Sequence, residues 1–105
     1  MISDVRAEKA LTYLAETDRS CAEAKVNAER MEFRAKVTKQ AIFKISDGNV
    51  ADRTAAADTS ADYAAAMDAY FTALQDYSHM ANKRQTEAFV IEVWRSVNAN
   101  RRHGG

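Results

Sequence analysis

Small and apolar residues recur at alternating spacings of three and four through the first part of the chain: Ala7, Ala10, Leu14, Thr17, Cys21, Ala24, Ala28, Met31, Ala35, Thr38, Ile42 and Ile45. This repeat places one stripe along one side of a helix, and its persistence predicts a coiled-coil seam. Most members of the seam are small, so a partner helix can approach closely. Ser3 and Asp4 can cap the start of this helix, predicted over residues 4–46. The first breaker is Ser-Asp-Gly-Asn at 46–49, where Gly48 or Asn49 can take the left-handed conformation that ends a helix, giving a turn at 47–49. A short helix at 50–58 follows. Thr59 or Ser60 then caps a second long helix over 60–100, with a flexible tail at 101–105. Its inner stripe, Tyr63, Met67, Tyr70, Leu74, Tyr77, Ala81, Ala88 and Ile91, is built of larger side chains that complement the small seam. No alternating β-branched run bounded by turn residues supports a strand. The expected fold is all-α: a single domain over 1–105, formed by a long antiparallel helical hairpin with a short helix near its bend.

The segment EAFVIEVWRSVNANRR (87–102) carries more apolar surface than one partner helix can cover. At 100° per residue, Val93, Trp94 and Val97 fall within about 60° of Val90, whereas Phe89 and Ile91 lie about 100° to either side. The first helix has a matching surplus, with Val26, Phe33 and Val37 forming a second stripe beside Arg30. Exposed contiguous apolar surface marks interaction sites. Val26, Phe33, Val37, Phe89, Val93, Trp94 and Val97 are therefore the expected interface of a homo-oligomer that assembles hairpins into a higher-order species.

Charge supports the hairpin. The chain holds 15 basic and 15 acidic residues, so no net charge identifies a partner. The signs are nevertheless segregated. Lys25, Arg30, Arg34, Lys36, Lys39 and Lys44 dominate 25–44, while Asp52, Asp58, Asp62, Asp68 and Asp76 outweigh Arg53 over 52–76. An antiparallel fold lays these blocks side by side, and lays the acidic 4–23 segment along the basic end containing Lys83, Arg84, Arg95, Arg101 and Arg102. Arg34 and Lys39 flank the seam and are expected to meet the aspartates. Arg30, Lys36 and Lys44 point away from it and remain available for phosphates.

The chemistry of an enzyme is not apparent. No Gly-rich phosphate loop, HExxH motif or clustered His/Cys set occurs. His79 reads as a half-buried hairpin residue and His103 as part of a fraying tail, so no metal or other cofactor is expected. Cys21 lies on the small-residue seam, where packing explains it better than reactivity, and as the sole cysteine it fits a reducing cytosol. The charged N-terminus gives no signal core and no membrane span. Neither a small-molecule substrate nor a membrane is expected as a partner. Tyr63, Tyr70 and Tyr77 recur every seven residues; base stacking is one reading, but heptad-spaced aromatics more often form a core.

The closing IEVWRSVNANRR resembles the end of small helical proteins found among the recombination genes of tailed phages. The wider plan, RAKVTKQAIFKISDGN (34–49) followed by an aromatic-rich helix over 63–99, is similar to that of UvsY-type recombination mediators. That resemblance implies a non-enzymatic, ring-forming oligomer that binds single-stranded DNA in the cytoplasm of a phage-infected host. Such a protein helps a recombinase displace single-strand-binding protein. The family's basic contact residues precede the turn, which places that role on Lys36, Lys39 and Lys44. With Arg30 and the terminal Arg101 and Arg102, these are the expected nucleic-acid-binding residues. Neutral net charge and matched charge blocks favour an alternative, a protein-only module such as a structural coiled coil or a phage inhibitor of a host defence protein. Trp94→Ala is expected to shift the protein to smaller species in light scattering, since a large interface anchor is removed; a parent already monomeric at high concentration would contradict the assembly.

Overall fold

The computed structural model describes the backbone of residues 1–104 and side chains as far as residue 102. Three helices make up the chain: α1 (Asp4–Ile45), α2 (Val50–Asp58) and α3 (Ala61–Gly104). The expected plan of two long helices flanking a short one is observed, with no strand among the described residues. Helix α3 continues to Gly104, into the segment 101–105 expected to be a tail, whose last residue lies outside the described residues. With no proline or internal glycine between Ala61 and Ala99, nothing local stops it. The chain divides into two compact units, one of residues 23–77 around the bend and one of residues 1–22 with 78–105.

The bend is set by consecutive caps. Ser46 closes α1 by donating its hydroxyl to the carbonyl of Ile42 at 2.6 Å. Gly48 has φ +105°, leaving Asn49 extended as the N-cap of α2. Asn49 and Asp52 form a reciprocal capping box: the Asn49 side chain accepts from the Asp52 N–H at 2.9 Å, and the Asp52 carboxylate accepts from the Asn49 N–H at 3.3 Å. Arg53 turns back to α1, where its Nε donates to the carbonyl of Phe43 at 3.0 Å. An arginine that stood alone among aspartates in the sequence thus satisfies one of the orphan carbonyls of the preceding helix. Between α2 and α3, Ser60 is the N-cap, accepting from the Tyr63 N–H at 3.2 Å.

In the bend unit, the segments of α1 and α3 run antiparallel. Ala28, Ala35, Ala57 and Ala73 are buried, and Met31, Thr38, Ile42, Tyr63, Met67, Tyr70, Leu74 and Tyr77 are partly buried around them. Ile45 departs from the expected seam: it is 81 % exposed, because the chain turns away after it.

The unit containing the chain ends is also an antiparallel pair, built on Ala7, Ala10 and Ile91. Its inner stripe on α3 differs from the expected one at Ala88, which is exposed, while Glu87 is buried. The reason is Arg6. Its guanidinium donates from Nη1 to Glu87 Oε2 at 2.6 Å and from Nη2 to Glu87 Oε1 at 2.8 Å, a bidentate fork that lets a carboxylate occupy a core position. One helical turn earlier, Arg84 Nη1 donates to the Leu14 carbonyl at 2.7 Å and to Thr17 Oγ1 at 2.6 Å. Both side chains lie on the inner stripe, where the sequence pattern assigned only apolar residues. His79, expected to be half-buried, is exposed: it follows Tyr77 and Ser78 on the far side of the stripe.

Gly48→Ala is expected to lower stability in denaturant melts by about 1–2 kcal/mol, because an L-residue strains at positive φ; its Cβ would also stand 2.7 Å from an oxygen of Asp52, disturbing the capping box. The Arg6 hydrogen bonds hold the Glu87 carboxyl below its ordinary value of 4.5, and hydrogen bonds from Tyr70 and Lys36 do the same for Glu32. Since both folded values are depressed, this stabilisation is present above the unfolded value and is lost as pH falls through the folded one. The difference in thermal midpoint between the parent and Glu87→Gln should therefore be largest near neutral pH and should narrow as the solution is acidified below about 4.5.

Candidate nucleic-acid interface

The last turns of α1 place Lys36, Lys39, Gln40, Phe43 and Lys44 at relative positions 0, 3, 4, 7 and 8, which lie along one helix face. With Thr54 and Ala57 of α2 opposite, they line a groove of about 450 Å³ whose walls are mainly apolar. Arg53 fixes one side of the site: its guanidinium lies 4.4 Å from the centre of the Phe43 ring, in addition to holding the Phe43 carbonyl. The ring is therefore oriented from both its backbone and its face.

The basic residues around the groove are not equivalent. Lys39 forms an ion pair with Asp58 at 2.8 Å and lies 5.5 Å from the Tyr63 ring; the Asp58 hydrogen bond raises its pKa above the ordinary lysine value. This is the charge-block contact expected from the sequence, but it commits Lys39 to the bend. Lys36 pairs with Glu32 one turn earlier at 3.2 Å, with the lysine largely solvated and the carboxylate partly buried. An i,i+4 pair with a solvated lysine contributes little and leaves the ammonium able to meet a stronger anion. Lys44 stands in the last turn of α1, where a cation complements the helix terminus. Among the described residues, neither Lys44 nor Arg30 has an acidic group at ion-pair distance. Arg34, expected to meet the aspartates, is likewise without one and is exposed.

Lys36, Lys39 and Lys44 are brought to one groove. Arg30 lies earlier on the same helix and does not line it. Arg101 and Arg102 belong to the other unit; they are exposed on the final turns of α3, with the Arg101 guanidinium donating to the Met1 thioether. Phe43, Gln40, Arg53 and Thr54 were not singled out by the sequence. Aromatic–basic interleaving in KQAIFK (39–44) was the available signal for Phe43. The contribution of α2 was not legible, because it depends on how the bend folds.

The expected assembly residues divide into two groups. Val26, Phe33 and Val37 are exposed along α1, with Phe33 67 % accessible, and Phe89 on α3 is 68 % accessible. Val93, Trp94 and Val97 are partly covered within the chain. The Trp94 indole donates to Asp4 Oδ1 at 2.8 Å, so its polar edge is satisfied without a second copy. Trp94 thus ties the ends of α1 and α3 together, whereas Phe33 and Phe89 remain open.

Among the described residues, no helix is long and apolar enough to cross a membrane, and no three His, Cys, Asp or Glu side chains are grouped so as to hold a metal ion. Comparison of the chain with known protein families, curated proteins and solved structures finds no significant match.

Proposed function

We propose that this protein is a single-stranded-DNA-binding recombination accessory of the mediator type, acting as a homo-oligomer that helps seat a recombinase in place of single-strand-binding protein. The observation that carries the reading is the basic face of α1 before the bend, where Lys36 and Lys44 flank an oriented aromatic ring in a groove. Phosphates supply sequence-independent affinity through such lysines, and an aromatic wall suits bases rather than a paired duplex. One chain offers few free cations. Assembly through the exposed Val26–Phe33–Val37 stripe would repeat the face and raise avidity.

A second reading is a protein–protein interaction module without nucleic-acid binding. The pairing of Lys36 with Glu32 and of Lys39 with Asp58 favours it, since part of the basic block is neutralised internally. Labelled oligo-dT separates the two. The mediator binds at low salt, with log affinity falling linearly in log salt concentration. Replacing two phosphate-contacting lysines in Lys36→Glu/Lys44→Glu should weaken binding and reduce the magnitude of the salt slope by about 1.4. Absence of binding by the parent at low salt would leave the interaction module as the better account.

A further inference from the structure

We propose that the groove between the end of α1 and α2 is a nucleobase pocket: one base of a single strand enters beside the Phe43 ring, while neighbouring phosphates meet Lys36 and Lys44. This rests on the DNA-binding reading above and assigns it a specific subsite.

The arrangement of charge favours a strand. Lys36 and Lys44 are eight residues apart on one helix face, a separation of about 12 Å at 1.5 Å per residue. Two cations spaced along a line match the repeating charges of a polyanion, whereas a single carboxylate ligand needs them gathered about a point. Lys39 lies between them but is held by Asp58, so it positions the wall and leaves the phosphate contacts to its neighbours.

The wall itself suits a flat ring. Phe43, which is partly exposed, supplies the apolar surface of the wall, and the volume of about 450 Å³ accommodates a base together with part of its sugar. The Arg53 guanidinium at 4.4 Å holds the Phe43 ring in place before any ligand arrives, which reduces the ordering cost of stacking. Polar reach into the groove comes from Gln40 and Thr54. An amide that both donates and accepts, with a hydroxyl that does the same, can satisfy the mixed donor and acceptor edge of any base. An apolar side chain of an acidic peptide would gain nothing from these groups, so a base is the better occupant.

Stacking on one aromatic ring is tolerant of base identity, and its loss weakens binding by about tenfold. The test compares labelled oligo-dT with an abasic deoxyribose-phosphate oligomer of the same length, at one low salt concentration, on the parent and on Phe43→Leu, with helicity checked by circular dichroism. The parent should prefer oligo-dT by about tenfold. Phe43→Leu should bring the two ligands close to parity while leaving the abasic affinity and the salt slope unchanged. Equal binding of both ligands by the parent would overturn the base pocket and leave phosphate binding intact. Equal losses for both ligands in a folded Phe43→Leu would make the ring purely structural and also overturn it. Binding of neither ligand, with capture of a phenylalanine-containing acidic peptide instead, would overturn the pocket and the DNA-binding reading together.

Discussion

Alanine occupies so many of the contact positions of α1 that burial alone holds the long helices together only weakly. Ala7, Ala10, Ala28 and Ala35 are buried, and no large side chain is fully buried among the described residues. A buried methyl contributes about 0.8 kcal/mol, against about 1.5–3 kcal/mol for a full leucine or phenylalanine side chain. Close approach recovers some of this through dispersion with the tyrosines, Met67 and Leu74 of α3. A stripe in which small residues predominate, with only Leu14, Met31 and Ile42 as larger members before Ile45, also discriminates weakly between registers. Polar side chains supply the missing specificity. In the unit of the chain ends, Glu87 is buried only where Arg6 can grip it from the facing helix, and Arg84 finds the Leu14 carbonyl and Thr17 in one alignment. Any shift strands a buried charge, an outcome more costly than the loss of a methyl contact.

The bend unit follows the same logic on a shorter scale. Gly48, the Asn49–Asp52 capping box and Arg53 direct α2 back against the end of α1. The interaction that caps α1 also orients Phe43, and the pairing of Lys39 with Asp58 ties α1 to the last residue of α2. The candidate groove is consequently a product of the turn. Its wall exists because the helix end had carbonyls to satisfy and an arginine from α2 was in reach.

What these packing rules leave uncovered is equally specific. Val26, Phe33 and Val37 form an apolar line on α1 that is exposed among the described residues. Contiguous exposure of this kind is the usual mark of an interaction surface. Trp94, by contrast, combines partial burial with an internal hydrogen bond to Asp4. The two aromatic groups that looked alike in the sequence are therefore placed differently: Trp94 is partly covered and hydrogen-bonded to Asp4 within the chain, whereas Phe33 is exposed.

The amino-acid sequence by itself determined the helical plan. Alanine abundance, the sustained three-and-four spacing and the Ser-Asp-Gly-Asn break located α1, α2 and the start of α3 within a residue or so, because those features act over one or two helical turns. The seam of α1 was legible for the same reason, except at Ile45. The tertiary structure alone decided which polar residues enter the stripe of α3. Periodicity places Glu87 and Ala88 only 100° apart, and the choice between them depends on Arg6, which is 81 residues away. It likewise decided that Trp94 would be anchored by Asp4 and that Phe43 would become the wall of a groove. Both outcomes arise from contacts between distant segments, whose partners no local pattern records.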